Sequence, residues 1–166
     1  PHFEQPMRSS QNTESLESRI QYRFRNPALL EEALTHPSVS PKKGARPANN
    51  QRLEFLGDAV LQLVLSETIF RRMPQCDEGL MTKLRTRLVS ERALARMARA
   101  IGLGADVRLG KSVDISRGRD RDSTLSDALE ALMGAVYLDA GFEAAQSFVL
   151  RVADMELREV MEKPVD

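Results

Sequence analysis

The sequence predicts an all-α fold, and three observations carry that prediction. Apolar residues recur at helical spacing in several segments. Most of those segments open on a good N-cap residue and close at Gly or just before Pro. Period-two alternation is not sustained anywhere, although Val107–Leu109 could form a single strand turn. About seven helices account for the chain, with no internal repeat and no low-complexity segment.

In chain order, residues 1–12 are polar, carry little pattern and read as a flexible tail. The chain opens on Pro1, and residues before Met7 read as a remnant of processing. "NTESLESRI" predicts a short helix capped by Asn12 or Thr13. "NPALLEEAL" places Asn26 at a cap and Pro27 at the first helical position. Residues 36–50 hold three prolines, a glycine and four basic residues when His36 is counted with Lys42, Lys43 and Arg46, and read as a loop. A long helix follows from about Asn50 to Arg72, ending before Pro74. Asp77 caps "EGLMTKLRTRLV", and Ser90 caps "ERALARMARAIG", which Gly102 ends. Residues 104–124 are polar and contain Gly, so they read as a long irregular segment of the kind that often carries function. One helix is expected over about Leu125–Ala140, closing at Gly141, and a last one over about Glu143–Glu162.

The 166 residues suit one domain, expected over 13–162. Apolar content of 42% with 29% charge makes a soluble globular protein the default. Lysine and arginine number 24, as do the acids, so net charge points to no nucleic-acid partner and local clusters would have to supply one. The single cysteine, Cys76, excludes an internal disulfide, fits a reducing, cytoplasmic setting and reads as a capping-region residue without chemistry. No apolar run approaches the ~20 residues of a membrane span, and no secretory signal is visible.

Two helices carry acids where a core is expected. At about 100° per residue, Glu54 and Asp58 lie about 40° apart on one face. Leu61 and Leu65 fall within about 20° of them, so this is not a solvent stripe. Asp127 and Glu130 share a face in the same way, completed by Ala131, Gly134, Tyr137 and Leu138. Helices apolar nearly all round are usually buried. Gly57 lies between the first two acids and Gly134 beside the second pair. A mid-helix glycine costs roughly 1 kcal/mol relative to alanine, which a close helix–helix approach would offset. The expectation is two central helices pressed face to face, with four carboxylates at the contact.

Unpaired buried carboxylates are unfavourable. Four can be accommodated by protonation, by pairing with Arg85 and Arg87, or by a divalent cation. Several protonations near neutral pH need large upward pKa shifts. Hard cations such as Mg²⁺ take oxygen ligands. Spacing leaves the metal site and the structural ion network both open.

"QRLEFLGDAVL" at 51–61 resembles the signature segment of the ribonuclease III family. "RDSTLSDALEALMGAVYLDAGF" at 121–142 resembles its second motif. "ALTHPS" at 33–38 and "LMTKLRTRLVSERALA" at 80–95 fall in the matching order, so the resemblance covers residues 14–160. It implies the family's catalytic domain and decides for the metal. The resemblance implies an endoribonuclease that cuts double-stranded RNA with Mg²⁺, for which Mn²⁺ can substitute, and no small-molecule cofactor. Glu54, Asp58, Asp127 and Glu130 would hold the metal, with Asp58 and Glu130 the catalytic pair. The products would carry 5′-phosphate and 3′-hydroxyl ends with short 3′ overhangs, in RNA processing that includes ribosomal RNA. The resemblance also implies a homodimer contacted through Phe55, for which ordinary core packing is the alternative. Gln51 stands where family members often have Glu. Its neutral amide is not counted as a ligand, and a role at RNA or at the dimer interface stays open. No double-stranded-RNA-binding domain is expected in this chain.

Weaker signals have plainer readings. His36 precedes Pro37 at a helix end and reads as structural rather than acid–base. Lys83, Arg85, Arg87, Arg92, Arg96 and Arg99 form either a solvated face or an RNA contact. Within 104–124, Arg108, Lys111, Arg117, Arg119 and Arg121 alternate with acids, which weakens a phosphate track without removing that loop as an RNA-binding candidate. A rival function is a non-catalytic RNA-binding or scaffold member of the same fold, which should lack at least one of the four acids. A nucleotide phosphohydrolase of the His-Asp kind is poorly served by only His2 and His36.

Overall fold

A computed structural model describes residues 15–41, 43–44 and 48–163. Those residues form helices and turns with no strand beyond one isolated bridge. In order the helices are α1 (Leu16–Ile20), α2 (Pro27–Leu34), α3 (Gln51–Arg72), α4 (Glu78–Leu88) and α5 (Glu91–Ala100). Then come α6 (Lys111–Ile115), α7 (Asp122–Ala140), α8 (Phe142–Val152) and α9 (Asp154–Glu162). The expected tail at 1–12, and the caps Asn12 and Thr13, lie outside the described residues. Ser15 caps α1, its side chain accepting from the Ser18 N–H.

The expected caps at Asn26, Asp77 and Ser90 each accept a backbone N–H from the first turn they precede. The start of α3 is built differently. Asn49 Oδ1 accepts the Gln51 N–H at 3.0 Å. Asn50 instead turns inward, donating through Nδ2 to the Ala33 carbonyl at 3.3 Å and through its N–H to Thr35 at 2.9 Å. This ties the first acid-bearing helix to the end of α2.

The core is centred on α7, which packs on α3, α5, α8 and α2. The expected close approach of α3 and α7 is present. A Cβ on Gly57 would stand 1.6 Å from the Glu130 carbonyl oxygen, and one on Gly134 would stand 2.4 Å from that of Leu53. Real Cβ atoms do not approach so closely, so glycine at both positions lets the backbones touch.

Two expectations need revision. Residues 104–124 are not one irregular loop. They hold α6 and two 3-10 turns, Leu103–Asp106 and Gly118–Asp120. Arg119 organises them, donating to the carbonyls of Gly104 (2.7 Å) and Val107 and pairing with Asp114 at 3.2 Å. The last helix bends at Ala153 and becomes two. Before the bend α8 packs on α7, and after it α9 turns onto α4, burying Leu157 and Val160. Both differences arise from long-range contacts, which local propensity does not encode.

Candidate active site in a cleft between two helices

The four carboxylates meet at the α3–α7 contact. The Glu130 carbonyl lies against Gly57, one residue before Asp58 and three after Glu54, so the glycine contact itself sets one acid pair beside the other. Glu54, Asp58 and Glu130, with Gln51 and Phe55, line an open cleft of about 480 Å³. Asp127 joins them through Glu54, whose carboxyl group donates a hydrogen bond to the Asp127 carboxylate. Asp58 is exposed, and the other three are half-buried.

Crowding shows in their protonation. Burial, reinforced by Asp58, Glu54 and Asp127, pushes Glu130 up to about 8. Burial and the neighbouring Asp127 and Asp58 push Glu54 up to about 7. Burial raises Asp127 as well, opposed by the hydrogen bond from Glu54 and by His36. The arginine network weighed from the sequence is not built. Arg85 donates to Ser66 Oγ at 2.9 Å instead, and none of the ion pairs among the described residues reaches any of the four acids.

Among the described residues no three or more His, Cys, Asp or Glu side chains close around one point as a metal cage. The donor chemistry nonetheless fits a hard divalent cation. All the charged donors lining the cleft, Glu54, Asp58 and Glu130, are carboxylates, and Mg²⁺ commonly takes one or two carboxylates and keeps its waters. Raised carboxyl pKa values mark the same place as deficient in positive charge.

The faces of α3 are less uniform than its composition suggests. Leu61 and Leu65 are fully buried, as their alignment with the acids requires. The opposite side exposes Phe55, Ala59 and Leu63 at successive helical turns and Phe70 two turns further on. Phe55 is 83% exposed, which removes core packing as its explanation. It lines a second open groove with Gln51, Leu56 and Leu138. Gln51 therefore borders both the acid cleft and this apolar groove.

The basic residues separate into two sets. Arg108 pairs with Glu31 at 3.2 Å, Arg99 with Asp122 at 2.6 Å, and Arg119 with Asp114, so these serve the fold. Lys111, Arg117 and Arg121 are exposed, and no ion pair among the described residues involves them. His36, read from the sequence as structural rather than acid–base, is held at its ring by Ser38 and lies within electrostatic reach of the site. Its ring interacts electrostatically with Asp127 and Arg121, and burial lowers its pKa. Helix-end position hid this neighbour, because no local spacing connects residue 36 to residue 127. No described helix is long and apolar enough to cross a membrane.

A ribonuclease-III-like family model matches residues 26–155. Ribonuclease 3 of Caldanaerobacter subterraneus subsp. tengcongensis is 47% identical over 146 residues, covering 88% of this chain and 64% of the relative. Ribonuclease 3 of Symbiobacterium thermophilum is 52% identical over 130 residues, covering 78% and 54%. This chain thus spans roughly 60% of the length of such relatives. The nuclease domain of ribonuclease III from Campylobacter jejuni superposes with a TM-score of 0.80 at 42% identity, covering 89% of this chain and 99% of that domain. That structure is described as flexible in a region involved in dimer formation. Dicer from Pichia stipitis, at 20% identity and a TM-score of 0.62, shares the fold. With the family model matching most of its length and the nuclease-domain fold superposing throughout, the chain belongs to the ribonuclease-III-like family.

Proposed function

We propose that this chain is the nuclease unit of a Mg²⁺-dependent endoribonuclease that cuts double-stranded RNA, with residues 13–162 carrying the chemistry. One observation supports the reading most directly. Three carboxylates from two helices line one open cleft with a fourth, Asp127, against Glu54, and no ion pair to a described arginine or lysine neutralises them. A purely structural cluster of ionised acids would need such partners. A bound divalent cation supplies a water of lowered pKa and neutralises the developing oxyanion.

The chain's own residues do the rest. Asp58, the exposed acid, and Glu130, its half-buried neighbour across the cleft, orient the attacking water and the phosphate. Glu54 and Asp127 complete the oxygen set. In-line attack of water at phosphorus breaks the bond to the 3′ oxygen and leaves 5′-phosphate and 3′-hydroxyl ends. Phe55 and the apolar stripe on α3 form the homodimer contact, so that two clefts cut two strands and leave short 3′ overhangs. Duplex RNA is read mainly by shape, phosphates and 2′-hydroxyls, so sequence preference is weak. Mn²⁺ supports the same chemistry.

Incubation of a plain RNA duplex with the purified chain tests the reading. Cleavage with Mg²⁺ and none with chelator is the expected result. Duplex binding without cleavage at every Mg²⁺ concentration would favour the non-catalytic scaffold instead.

A further inference from the structure

Gln51 opens α3 on an anchored stretch of main chain. Asn49 Oδ1 accepts its N–H at 3.0 Å. Asn50, only 2% exposed, donates through Nδ2 to the Ala33 carbonyl at 3.3 Å and through its N–H to the Thr35 carbonyl at 2.9 Å. The Asn50 carbonyl in turn accepts the Glu54 N–H at 2.8 Å, so Gln51 and Glu54 share one fixed turn. The Gln51 side chain is exposed, and no hydrogen bond among the described residues takes its amide. It lines the acid cleft with Glu54, Phe55, Asp58 and Glu130. Of those neighbours, Phe55 brings a hydrocarbon ring and the others bring carboxyl groups. Gln51 is therefore the only permanent hydrogen-bond donor among the described side chains lining the cleft. Arg52, next in the chain, lines the apolar groove and not the cleft.

We propose that Gln51 is a substrate-binding residue, its side-chain amide donating to a non-bridging phosphate oxygen of the RNA backbone that enters the acid cleft. The inference rests on the proposed nuclease activity and names how the cleft holds the strand. A phosphodiester is an anion, and the cleft that receives it is lined by acids. Glutamine is among the side chains that commonly donate to phosphate oxygens, and such contacts fix position without reading sequence. An acid at position 51 would repel the phosphate and would stand three residues from Glu54 as a like charge. A cation there would pair with Glu54 over the same spacing and be diverted from the phosphate. The neutral amide does neither, and its anchored main chain presents it to the cleft before the substrate arrives.

The test compares wild type, Gln51→Ala and Gln51→Glu on one plain RNA duplex. The measurements are KM and kcat in Mg²⁺, duplex Kd in Ca²⁺ across a salt series, and Mn²⁺ binding to the chain alone by electron paramagnetic resonance. Gln51→Ala should raise Kd and KM about tenfold, the lower end for a hydrogen bond to a charged group. Its melting temperature and Mn²⁺ affinity should stay at the wild-type values. The salt slope should stay too, because a neutral donor displaces no counterion. Gln51→Glu should raise Kd and KM further than Gln51→Ala. Unchanged Kd and KM in Gln51→Ala, or a Gln51→Glu chain that binds duplex as tightly as wild type, overturns the inference and leaves the nuclease reading standing. Weaker Mn²⁺ binding by Gln51→Ala would make the amide a cation ligand, and a shift toward monomer in sedimentation would make it an interface residue. Either result also overturns the inference. A wild-type chain that binds the duplex in Ca²⁺ but cuts nothing in Mg²⁺ ends the catalytic reading, and the Kd comparison still decides the role of Gln51. If the wild-type chain neither binds nor cuts the duplex, both fall.

Discussion

Gly57 and Glu130 are in backbone contact: a Cβ on Gly57 would stand 1.6 Å from the Glu130 carbonyl oxygen. The contact that joins the two central helices is thus also the one that assembles the acid cleft. Gly57→Ala must push α3 from α7. Overpacking costs typically 1–3 kcal/mol, and a clash with main chain leaves no side chain to move aside. A loss of about 3 kcal/mol or more is expected, seen as a large drop in melting temperature or loss of folded protein. Gly79→Ala is the control. Its nearest neighbour would be Asp77 Oδ1 at 3.6 Å, so it should melt no lower than wild type.

Glu130→Gln should abolish cleavage, keep the fold and leave duplex binding intact. Glu130 is the acid that its surroundings raise furthest, to about 8. Replacing it with a neutral isostere removes repulsion, so the melting temperature without Mg²⁺ should rise near pH 8. Wild-type cleavage by this variant would end the assignment of Glu130.

Without divalent cations, stability should fall as pH rises. Glu54 and Glu130 titrate near 7 and 8 in the folded chain, against an ordinary value of 4.5. Between about pH 4.5 and 8 the folded state therefore binds more protons than the unfolded state, and linkage makes stability decrease with pH across that window. Below the unfolded value the penalty is absent, and above about 8 it is complete. Melting temperatures in chelator at pH 6 and pH 8.5 check the sign. Glu130→Gln should flatten the difference, and a rising profile would contradict the crowded-carboxylate picture.

Phe55→Ala should shift the chain toward monomer while barely changing monomer stability. A buried phenylalanine would cost 3–5 kcal/mol on truncation, but this one is 83% exposed. An interface anchor loses about 2 kcal/mol or more, roughly 30-fold in Kd. Sedimentation across a concentration series measures the first effect, and urea melting of dilute protein the second. Wild-type protein that remains monomeric at high concentration would remove the two-strand cutting scheme.

Cleavage should be salt-sensitive, with Lys111, Arg117 and Arg121 responsible for part of the slope. These cations are exposed and outside the described ion pairs, unlike Arg108 and Arg119. Each phosphate contact removed should lower the salt slope of duplex binding by about 1. Arg117→Ala and Arg121→Ala are expected to do so. Arg119→Ala should chiefly lower the melting temperature, because Arg119 holds the carbonyls of the 104–124 segment. Equal salt slopes in all three variants would remove this segment as an RNA contact.

Local chemistry determined much of this molecule. Asn26, Asp77 and Ser90 cap the helices they precede because a short polar side chain before an apolar periodic run has few better uses. The four acids declared themselves by sitting on otherwise apolar faces, and Gly57 and Gly134 by the cost of glycine within a helix. Periodicity relates residues three or four apart, and it paired Glu54 with Asp58 and Asp127 with Glu130. It could not bring one pair to the other across 69 residues, from Asp58 to Asp127. Only tertiary packing decided that α3 buries Leu61 and Leu65 and exposes Phe55, that Arg119 folds the 104–124 segment, and that His36 comes within electrostatic reach of Asp127. Each depends on contacts between residues distant in the chain, whose energies enter only once the core has closed around α7.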